Sequence, residues 1–570
     1  MNTAIRSRAM APVLSRLGEI AAIVAQKVWR FLTAGHAATL PQYRPRRSRG
    51  RVFMRHSLLL AAVLGIAVVY GFLFTILPPF LYVYMAVPIG VLALAVIWAL
   101  PDSDVYPAGV VRFLFFALVL AIGLWPNYLA LALPGQPWIS SRRLFTIPLF
   151  VLFLISYSMS PALRADLKGA LATSKPLWVA MLIYIFLSFA TIFVSDYPAT
   201  SFNRFLVAQL EWTLPFLVAV WLFQQPRHAM WVAGALLIVV SYQSIIGVWE
   251  HAIQAVPWAP YVPTWLKGDI ELVDRILSGA RRWAVGTHRS AGTWSTPLSY
   301  AEFLALLSAF LIHFVFVTRK VLYKFLVGGV IVCCVASIIY SQSRLGLIGF
   351  IGVLIMYVLV FAVRKWLQDK NSIMSAAILM AYPFFALTIV GLTFVSRRLE
   401  LMVWGGGHTA ASTEGRSGQY ERGIDAILQW PFGYGMGNAP SVAGSFGSFD
   451  ILTLDTYYVT VAVDLGIVGF LAYYFLFIFA AINGSLAYIR SRPDDRYAGL
   501  LLPLACVMMN FVITKSVLSQ EETHIMIAIL LGAFVAIYYR TALALGVRGR
   551  IPLFKPLPPT GRTAPAAIAV

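Results

Sequence analysis

The stretch IVCCVASIIYSQSRLGLIGFIGVLIMYVLVF, residues 331–361, decides the fold, because apolar runs flank one short polar segment. The polar segment is Ser341-Gln342-Ser343-Arg344. Extended outward, each apolar run reaches about 18 residues, the length that predicts a transmembrane helix. A charged side chain between two such helices is costly in free energy, so Arg344 requires a functional or structural reason.

The same pattern covers most of the 570-residue chain, which is 60% hydrophobic and only 12% charged. A soluble protein of this composition would expose apolar patches far larger than normal. We therefore expect an all-α polytopic integral membrane protein with about 14 transmembrane helices. The predicted spans lie near residues 57–76, 78–100, 112–133, 144–160, 176–195, 205–223, 229–250, 297–317, 322–340, 345–363, 373–395, 456–480, 498–514 and 523–541.

The net charge of +21 is spread over tails and short loops, so we expect no nucleic-acid binding. Residues 1–56 form a basic tail, for which an amphipathic helix on the inner leaflet and a disordered segment are both open. Residues 57–541 form the predicted transmembrane domain, and residues 542–570 form a Pro-rich tail. The three cysteines all lie in apolar spans and indicate neither a disulfide framework nor a metal site.

Charge also predicts the orientation of the spans, because cytoplasmic loops are enriched in Lys and Arg. With a cytoplasmic N-terminus, alternation places both termini and five basic loops inside. It places two longer loops, residues 251–296 and 396–455, in the periplasm. The inside loops are residues 164–168, 224–228, 318–324, 364–370 and 490–496.

The predicted outer segments contain many arginines but only two lysines, Lys267 and Lys515. Orientation does not require arginine on this side, so another reason is needed. A planar guanidinium that donates two parallel hydrogen bonds suits phosphate or diphosphate. These arginines are Arg142, Arg143, Arg204, Arg275, Arg281, Arg282, Arg289, Arg397, Arg398, Arg416 and Arg422.

Three polar motifs stand where a span begins at the predicted outer face: residues 287–303, 341–346 and 454–470. Thr296, one of Ser341 and Ser343, and one of Asp455 and Thr456 are the predicted N-caps. Helix N-termini attract anions, so with Arg289 and Arg344 they predict a site for an anionic group. In the alternative interpretation, Arg344 extends to lipid phosphates and Asp455 is only a cap.

Three carboxylates, Glu211, Glu302 and Asp464, lie within or near spans, where an ionisable group is a functional candidate by default. Glu302 and Asp464 could equally form ion pairs with arginine that only stabilise the packing of the helices. His288 and His408 are isolated loop histidines, so the sequence predicts no metal site around them.

Four motifs in order resemble the O-antigen ligase and polymerase superfamily of bacterial membrane glycosyltransferases, over roughly residues 176–482. The first runs from Arg289 through Gly292 and Thr293 to Pro297 and Ala301, and the second is Ser-x-Ser-Arg at Ser341, Ser343 and Arg344. In the third, GRSGQYERGIDAILQWPFGYGMGN (415–438), an arginine and a short helix precede Pro-x-Gly-x-Gly. The fourth is a carboxylate before Gly-x-x-Gly, at Asp464, Gly466 and Gly469.

The resemblance implies a GT-C-like helical fold in the bacterial inner membrane that works without a cofactor, nucleotide or metal ion. It implies transfer of a sugar chain from undecaprenyl diphosphate at the periplasmic face. Arg289 and Arg344 would bind the diphosphate, and Ser343, Arg416, Arg422 and Glu302 are the further substrate-binding candidates. The implied partners are an undecaprenyl-diphosphate-linked oligosaccharide and an acceptor glycan. A chain-length regulator and a flippase of the same pathway are candidate partners.

One departure from the family pattern bears on the reaction. Ligases typically carry His-Asn where the large loop re-enters the membrane, whereas this chain has Asp455-Thr456-Tyr457 there. We therefore expect a polymerase of exopolysaccharide, capsule or O-antigen repeats, with Asp455 as the base. Glu414, Asp425 and Asp450 are rival bases in the same loop. The alternatives are a ligase that transfers glycan to lipid A core or protein, and a flippase, which would place charge at the bilayer midplane.

Overall fold

A computed structural model describes residues 49–76, 82–103, 105–131, 139–281, 288–395, 410–446 and 452–547. Within these residues the chain is predominantly helical, and the strands form three antiparallel pairs of two residues each. The first ten helices are α1 (Arg49–Ile76), α2 (Tyr82–Trp98), α3 (Ala108–Leu124), α4 (Ser141–Met159), α5 (Pro161–Thr173), α6 (Lys175–Ala190), α7 (Pro198–Ala208), α8 (Leu214–Leu222), α9 (Pro226–Ile253) and α10 (Ile270–Leu277).

The remaining helices carry most of the motifs identified in the sequence. They are α11 (Pro297–Val317), α12 (Val321–Tyr340), α13 (Arg344–Gln368), α14 (Ile373–Val395), α15 (Ala410–Gln429), α16 (Ala439–Ala443), α17 (Tyr457–Arg490), α18 (Arg496–Gly499), α19 (Leu501–Lys515) and α20 (His524–Ala544). The strands are β1 (Ala130–Leu131), β2 (Ile139–Ser140), β3 (Ala280–Arg281), β4 (His288–Arg289), β5 (Ser445–Phe446) and β6 (Leu452–Thr453).

The chain divides into two compact units, one of residues 1–113 with 149–165 and the other of residues 114–148 with 166–570. In the described part of the first unit, Arg164 pairs with Asp102 at 2.8 Å. The second unit contains all of the sequence motifs discussed above. Its most buried helices are α11, α19 and α20, which are predominantly apolar and form the core of the unit.

Ten helical segments of the described residues are long and apolar enough to cross a membrane, so the protein is a multi-pass membrane protein. Four shorter apolar helical segments lie at the other predicted spans: Leu60–Phe72, Ile89–Trp98, Ala108–Leu124 and Ile373–Phe385. The predicted count of about 14 remains a prediction for these four. The span predicted at 112–133 is too long, because α3 ends at Leu124, shortly before Pro126.

Segments predicted to lie on one side of the membrane contact one another. Arg364, at the end of α13, donates hydrogen bonds to the carbonyls of Ser491 and Arg492 at 3.2 and 2.8 Å. Gln224 donates to the carbonyl of Asp166 at 3.2 Å. All of these residues belong to loops predicted to be cytoplasmic or to the ends of adjoining helices. The contacts agree with the predicted alternation, while the inside assignment itself stays a prediction.

The predicted helix starts agree with the structure at all three motifs, two of them with a side-chain capping bond. Thr296 is the N-cap of α11 and accepts a hydrogen bond from the Ser299 N–H at 3.1 Å. Ser343 is the N-cap of α13 and accepts from the Gly346 N–H at 3.3 Å. Thr456 occupies the N-cap position of α17, but its side chain makes no capping bond. The prediction that Asp455 or Thr456 is the N-cap is therefore confirmed for the position of Thr456, without a side-chain bond.

Candidate functional site

The segments that carry Arg289 and Arg344 meet in the structure. The Arg289 Nε donates to the carbonyl of Ser341 at 2.9 Å, and the Ser290 N–H donates to the Tyr340 carbonyl at 3.3 Å. β4 therefore lies against the short turn between α12 and α13, and Arg344 is the first residue of α13. The N–H groups of that first turn and two guanidinium-bearing segments share one end of the bundle, an arrangement that suits an anion.

Glu250 of α9 holds the Arg289 segment in place, although no motif identified in the sequence includes it. Its fully buried carboxylate accepts the N–H groups of Ala291 and Gly292, at 3.0 and 2.8 Å. The His288 Nε2 lies 2.9 Å from the other carboxylate oxygen. Gly292 has φ +55°, a left-handed conformation that favours glycine. His288 is thus part of a buried network that fixes the backbone on both sides of Arg289.

Glu302 lies in a fully buried ion pair with Lys515, the last residue of α19. The Lys515 Nζ lies 2.9 Å from one carboxylate oxygen and 3.0 Å from the other. The hydroxyls of Thr523 and Thr514 donate to the same carboxylate at 3.2 and 3.4 Å. The sequence left open that Glu302 forms a packing ion pair with an arginine. The structure shows an ion pair, but the partner is Lys515. Substrate binding by Glu302 stays a prediction, and its observed contacts are all internal.

Asp464 holds a glycine-rich loop, residues 431–438, rather than an arginine. Its carboxylate accepts the backbone N–H groups of Gly437, Asn438 and Ala439 at 2.7, 3.1 and 2.8 Å. Three N–H donors satisfy a buried carboxylate without a counter-cation. The Gly435 N–H of the Pro-x-Gly-x-Gly motif also donates to the Asp464 carbonyl. The glycine-rich loop and Asp464, which is 27 residues after Gly437, therefore form one structural unit.

α17 is interrupted where this loop contacts it. Gly466 has φ +72° and ψ −179°, and a Cβ there would lie 2.2 Å from the Pro431 carbonyl oxygen. The freed backbone groups pair with the loop: Tyr434 and Gly435 donate to the carbonyls of Val463 and Asp464, and Ile467 donates to Pro431. Irregular backbone in a span is tolerated only where such partners exist.

Asp455, the predicted base, is about half exposed and lies 4.0 Å from the Arg416 Nε. Its own N–H donates to the Gln419 side chain at 2.9 Å. Arg422 of the same helix, α15, instead donates to the carbonyls of Ala443 and Gly444, both at 3.3 Å. The structure thus brings two of the predicted residues, Arg416 and Asp455, together and gives Arg422 backbone partners.

The rival bases are distributed differently. Glu414 and Asp425 are exposed on α15, whereas Asp450 and the isolated His408 lie outside the described residues. In the part of the chain that the structure describes, no three His, Cys, Asp or Glu side chains are grouped to hold a metal ion. The absence of a metal from the reaction stays a prediction.

A cavity of about 140 Å³ lies between the glycine-rich loop and helices α7, α17 and α20. Arg204 and Glu521 form an ion pair at its wall, 3.2 Å apart, with both side chains about half exposed. Glu211 lines the cavity from a π-helical turn, Gln209–Thr213, that joins α7 to α8. Such turns often occur at functional sites. Other lining residues are Tyr184, Ala208, Trp212, Gly437, Tyr457, Thr460, Asp464, Tyr473 and His524.

The electrostatics of the cavity depend on Glu521, which lies in the connection between α19 and α20. Desolvation by the surrounding protein raises the pKa of this carboxyl, and Glu211 acts in the same direction. The positive charges of Arg204 and Lys515 lower the pKa but do not cancel that effect. As pH falls through the raised pKa, Glu521 becomes neutral and its ion pair with Arg204 is lost.

Sequence reasoning placed Arg204 among the outer arginines and Glu211 among the span carboxylates, but it missed Glu521 and His524. Arg204 and Glu521 are 317 positions apart, and no motif links them. A polar cluster between two core helices, residues 519–524, was the available signal.

Residues 329–474 match the family model described as O-Antigen ligase. The match covers most of α12, all of α13 to α16 and the first half of α17. It therefore includes Arg344, Asp455, Asp464 and the glycine-rich loop, and it ends beyond Gly469. The resemblance to the O-antigen ligase and polymerase superfamily is confirmed over these residues. A comparison with curated proteins found no matching relative.

Proposed function

Because residues 329–474 carry an O-antigen ligase domain, we propose that the chain is a membrane polysaccharide polymerase. It joins undecaprenyl-diphosphate-linked repeat units into exopolysaccharide, capsule or O-antigen at the periplasmic face of the inner membrane. The observation that carries the proposal is the hydrogen bond from Arg289 to Ser341, which joins two arginine-bearing segments 52 residues apart.

The donor diphosphate binds at this junction. Arg289, Arg344 and the first turn of α13 together present cationic groups and backbone N–H donors, which suit a diphosphate. The buried Glu250 network holds the Arg289 backbone before the substrate arrives. Preorganised positive charge stabilises the transition state more than the ground state, because the diphosphate gains charge as it leaves.

The reaction is a single displacement at the anomeric carbon of the donor sugar. A hydroxyl of the acceptor glycan attacks that carbon and loses its proton to a carboxylate, for which Asp455 is the candidate. The bond between the anomeric carbon and the diphosphate oxygen breaks, and undecaprenyl diphosphate leaves with the electron pair. Asp455 is half exposed and lies 4.0 Å from the Arg416 Nε, so its carboxylate is accessible to an acceptor hydroxyl.

Deletion of the gene and analysis of the lipid-linked glycan tests this function. Loss of a polymerase leaves single repeat units on the carrier at the periplasmic face. A ligase, the second candidate, is favoured by the description of the matched family, and its loss leaves long chains on the carrier. Loss of a flippase traps single units at the inner face. Either of these last two results contradicts the polymerase proposal.

Arg289→Ala and Arg344→Ala test the donor site. We expect each variant to lose about 100-fold or more of the polymer yield, as when one charge-stabilising group is removed from an active site. Protein level, measured by immunoblot, stays unchanged. Arg319→Ala provides the matched control, because Arg319 is an exposed arginine in a loop predicted on the opposite side. Normal polymer in both test variants refutes the assigned roles.

A further inference from the structure

We propose that the cavity between α7, α17 and α20 binds one uncharged sugar ring of the acceptor glycan, as a subsite beside the donor site. Only the assignment of this sugar to the acceptor rests on the proposed function. The size, unpaired polar atoms and charges of the cavity indicate a single neutral sugar.

The size of the cavity sets the size of its occupant. Its volume is about 140 Å³, well above the roughly 10–15 Å³ that a cavity needs to hold one water molecule. This space suits one sugar ring, and the half-exposed side chains of Arg204 and Glu521 at its wall leave the rest of a glycan a way out. The rings of Tyr184 and Tyr457 are among its walls, and aromatic faces pack well against the apolar C–H side of a sugar.

Side chains at the cavity have buried polar atoms that need a partner, among them Trp212 and His524. The indole N–H of Trp212 and the Nε2 of His524 have no hydrogen-bond partner among the described residues. Trp212 is almost completely buried, at 4% exposure. A buried donor without a partner costs free energy, so such groups in a native protein usually mark water or a ligand. Sugar hydroxyls both donate and accept, and they satisfy both groups.

The charges of the cavity select against an anionic ligand. Glu211 and Glu521 both line it, whereas the only lining Arg or Lys among the described residues is Arg204, already paired with Glu521 at 3.2 Å. An anionic ligand here meets the like charges of two carboxylates at close range, which is unfavourable. The carboxylates instead accept hydrogen bonds from neutral hydroxyl groups, and such charge-assisted bonds are strong.

The position of the cavity connects it to the donor site. Its wall includes Gly437, which is fixed by Asp464, and Glu521, which precedes Glu522. The Glu522 carboxylate accepts a hydrogen bond of 2.5 Å from Ser295, six residues after Arg289. A sugar in the cavity therefore lies in the same connected part of the second unit as the arginine junction.

Saturation-transfer NMR on the full chain in detergent micelles tests the binding site without requiring activity. The probes are the methyl glycosides of glucose, galactose, mannose and N-acetylglucosamine, with methyl glucuronide as the anionic comparison. We expect the wild-type protein to bind at least one neutral glycoside and not the glucuronide. Ala208→Phe, which fills the cavity, abolishes that signal, and Glu211→Gln weakens binding about tenfold through loss of one charge-assisted bond.

Two control variants keep the result specific. Leu206→Phe adds the same ring to an exposed position of α7, and Glu421→Gln removes a charge from α15 outside the cavity. Both retain wild-type binding. The subsite is refuted if no neutral glycoside binds, if the glucuronide binds equally well, or if Ala208→Phe binds like the wild type.

A second measurement separates this inference from the proposed function. With lipid-linked donor and purified chain, Glu211→Gln raises KM for the acceptor about tenfold and leaves KM for the donor unchanged. A wild-type chain that binds neutral glycosides but transfers none contradicts the polymerase and retains the sugar site. An active wild-type chain with unchanged acceptor KM in Glu211→Gln contradicts the acceptor assignment alone.

Discussion

At the scale of single residues, the ion pair of Glu302 and Lys515 is the most demanding interaction in the second unit. Both side chains are fully buried, and two threonine hydroxyls complete the hydrogen bonding of the carboxylate. Removal of one partner leaves an uncompensated buried charge, whereas removal of both leaves an apolar gap. The pair joins α11 to the end of α19, two of the most buried helices.

Glu302→Gln is expected to destabilise the protein by about 3–5 kcal/mol, because Lys515 then keeps its charge without a counter-ion. The double variant Glu302→Leu with Lys515→Met recovers most of this loss. Thermal unfolding in detergent, followed by fluorescence-detected size exclusion, measures both effects.

The matched control for that experiment is the more exposed pair of Lys267 and Asp274, 2.5 Å apart. Asp274→Asn costs at most about 1 kcal/mol, since exposed ion pairs are screened by solvent. A Glu302→Gln variant no less stable than Asp274→Asn would contradict the strong contribution expected of the buried pair.

At the scale of elements, the break in α17 and the glycine-rich loop depend on each other. Gly433 is also left-handed, with φ +95°, and a Cβ there would lie 2.6 Å from the Asp464 carbonyl oxygen. Two glycines on different segments thus permit the close approach of two backbones. Helix and loop form their hydrogen bonds together, so neither conformation is stable without the other.

Gly466→Ala is expected to abolish polymer formation and to expose the loop at 431–438, because its Cβ has no space beside Pro431. Polymer yield and limited proteolysis measure the two effects. Gly352→Ala is the control, since that glycine lies in α13 with nothing within 4 Å of the added carbon. An active, protease-resistant Gly466→Ala protein contradicts this interpretation.

The elements were more predictable from sequence than the site was. Span positions depend on local runs of apolar residues, so helices such as α12 and α13 lie where the runs do. For Arg289 and Ser341, the sequence predicted only that their two motifs lie at the same face of the membrane. It did not predict the hydrogen bond between them. The cavity was not predictable, because Arg204, Glu211, Glu521 and His524 come together only through packing of the π-helical turn and α8 against α20. Neither spacing nor composition reports such packing.

At the scale of the whole molecule, alternation of the spans assigns each contacting group of loops to one side of the membrane. The group around Arg364, Ser491 and Arg492 is assigned to the cytoplasm, and the group around Ser341, Asp455 and Glu521 to the periplasm. Hydrogen bonds connect the loops within a group; one example is the bond from the Arg364 side chain to the Arg492 carbonyl.

Cysteine accessibility tests this orientation. In a background with Cys333, Cys334 and Cys506 replaced by alanine, Glu421→Cys reacts with a membrane-impermeant maleimide in intact spheroplasts. Asp494→Cys reacts only after permeabilisation. Both positions are exposed on the protein surface, so a difference in labelling reports the side of the membrane and not burial. The opposite pattern would reverse the orientation and exclude a periplasmic reaction.

The interruption of α17 also determines how deep the glycine-rich loop lies. The segment after Gly466 runs to Arg490 and is about 36 Å long at 1.5 Å per residue, enough to cross a hydrocarbon layer of about 30 Å unaided. With Arg490 at the predicted cytoplasmic boundary, we expect the break and the loop near the level of the lipid head groups on the other side. Trp430 and Phe432, both exposed at the start of the loop, have the aromatic character of residues at that depth. A lipid carrier can thus keep its tail in the bilayer while its head group lies level with the loop.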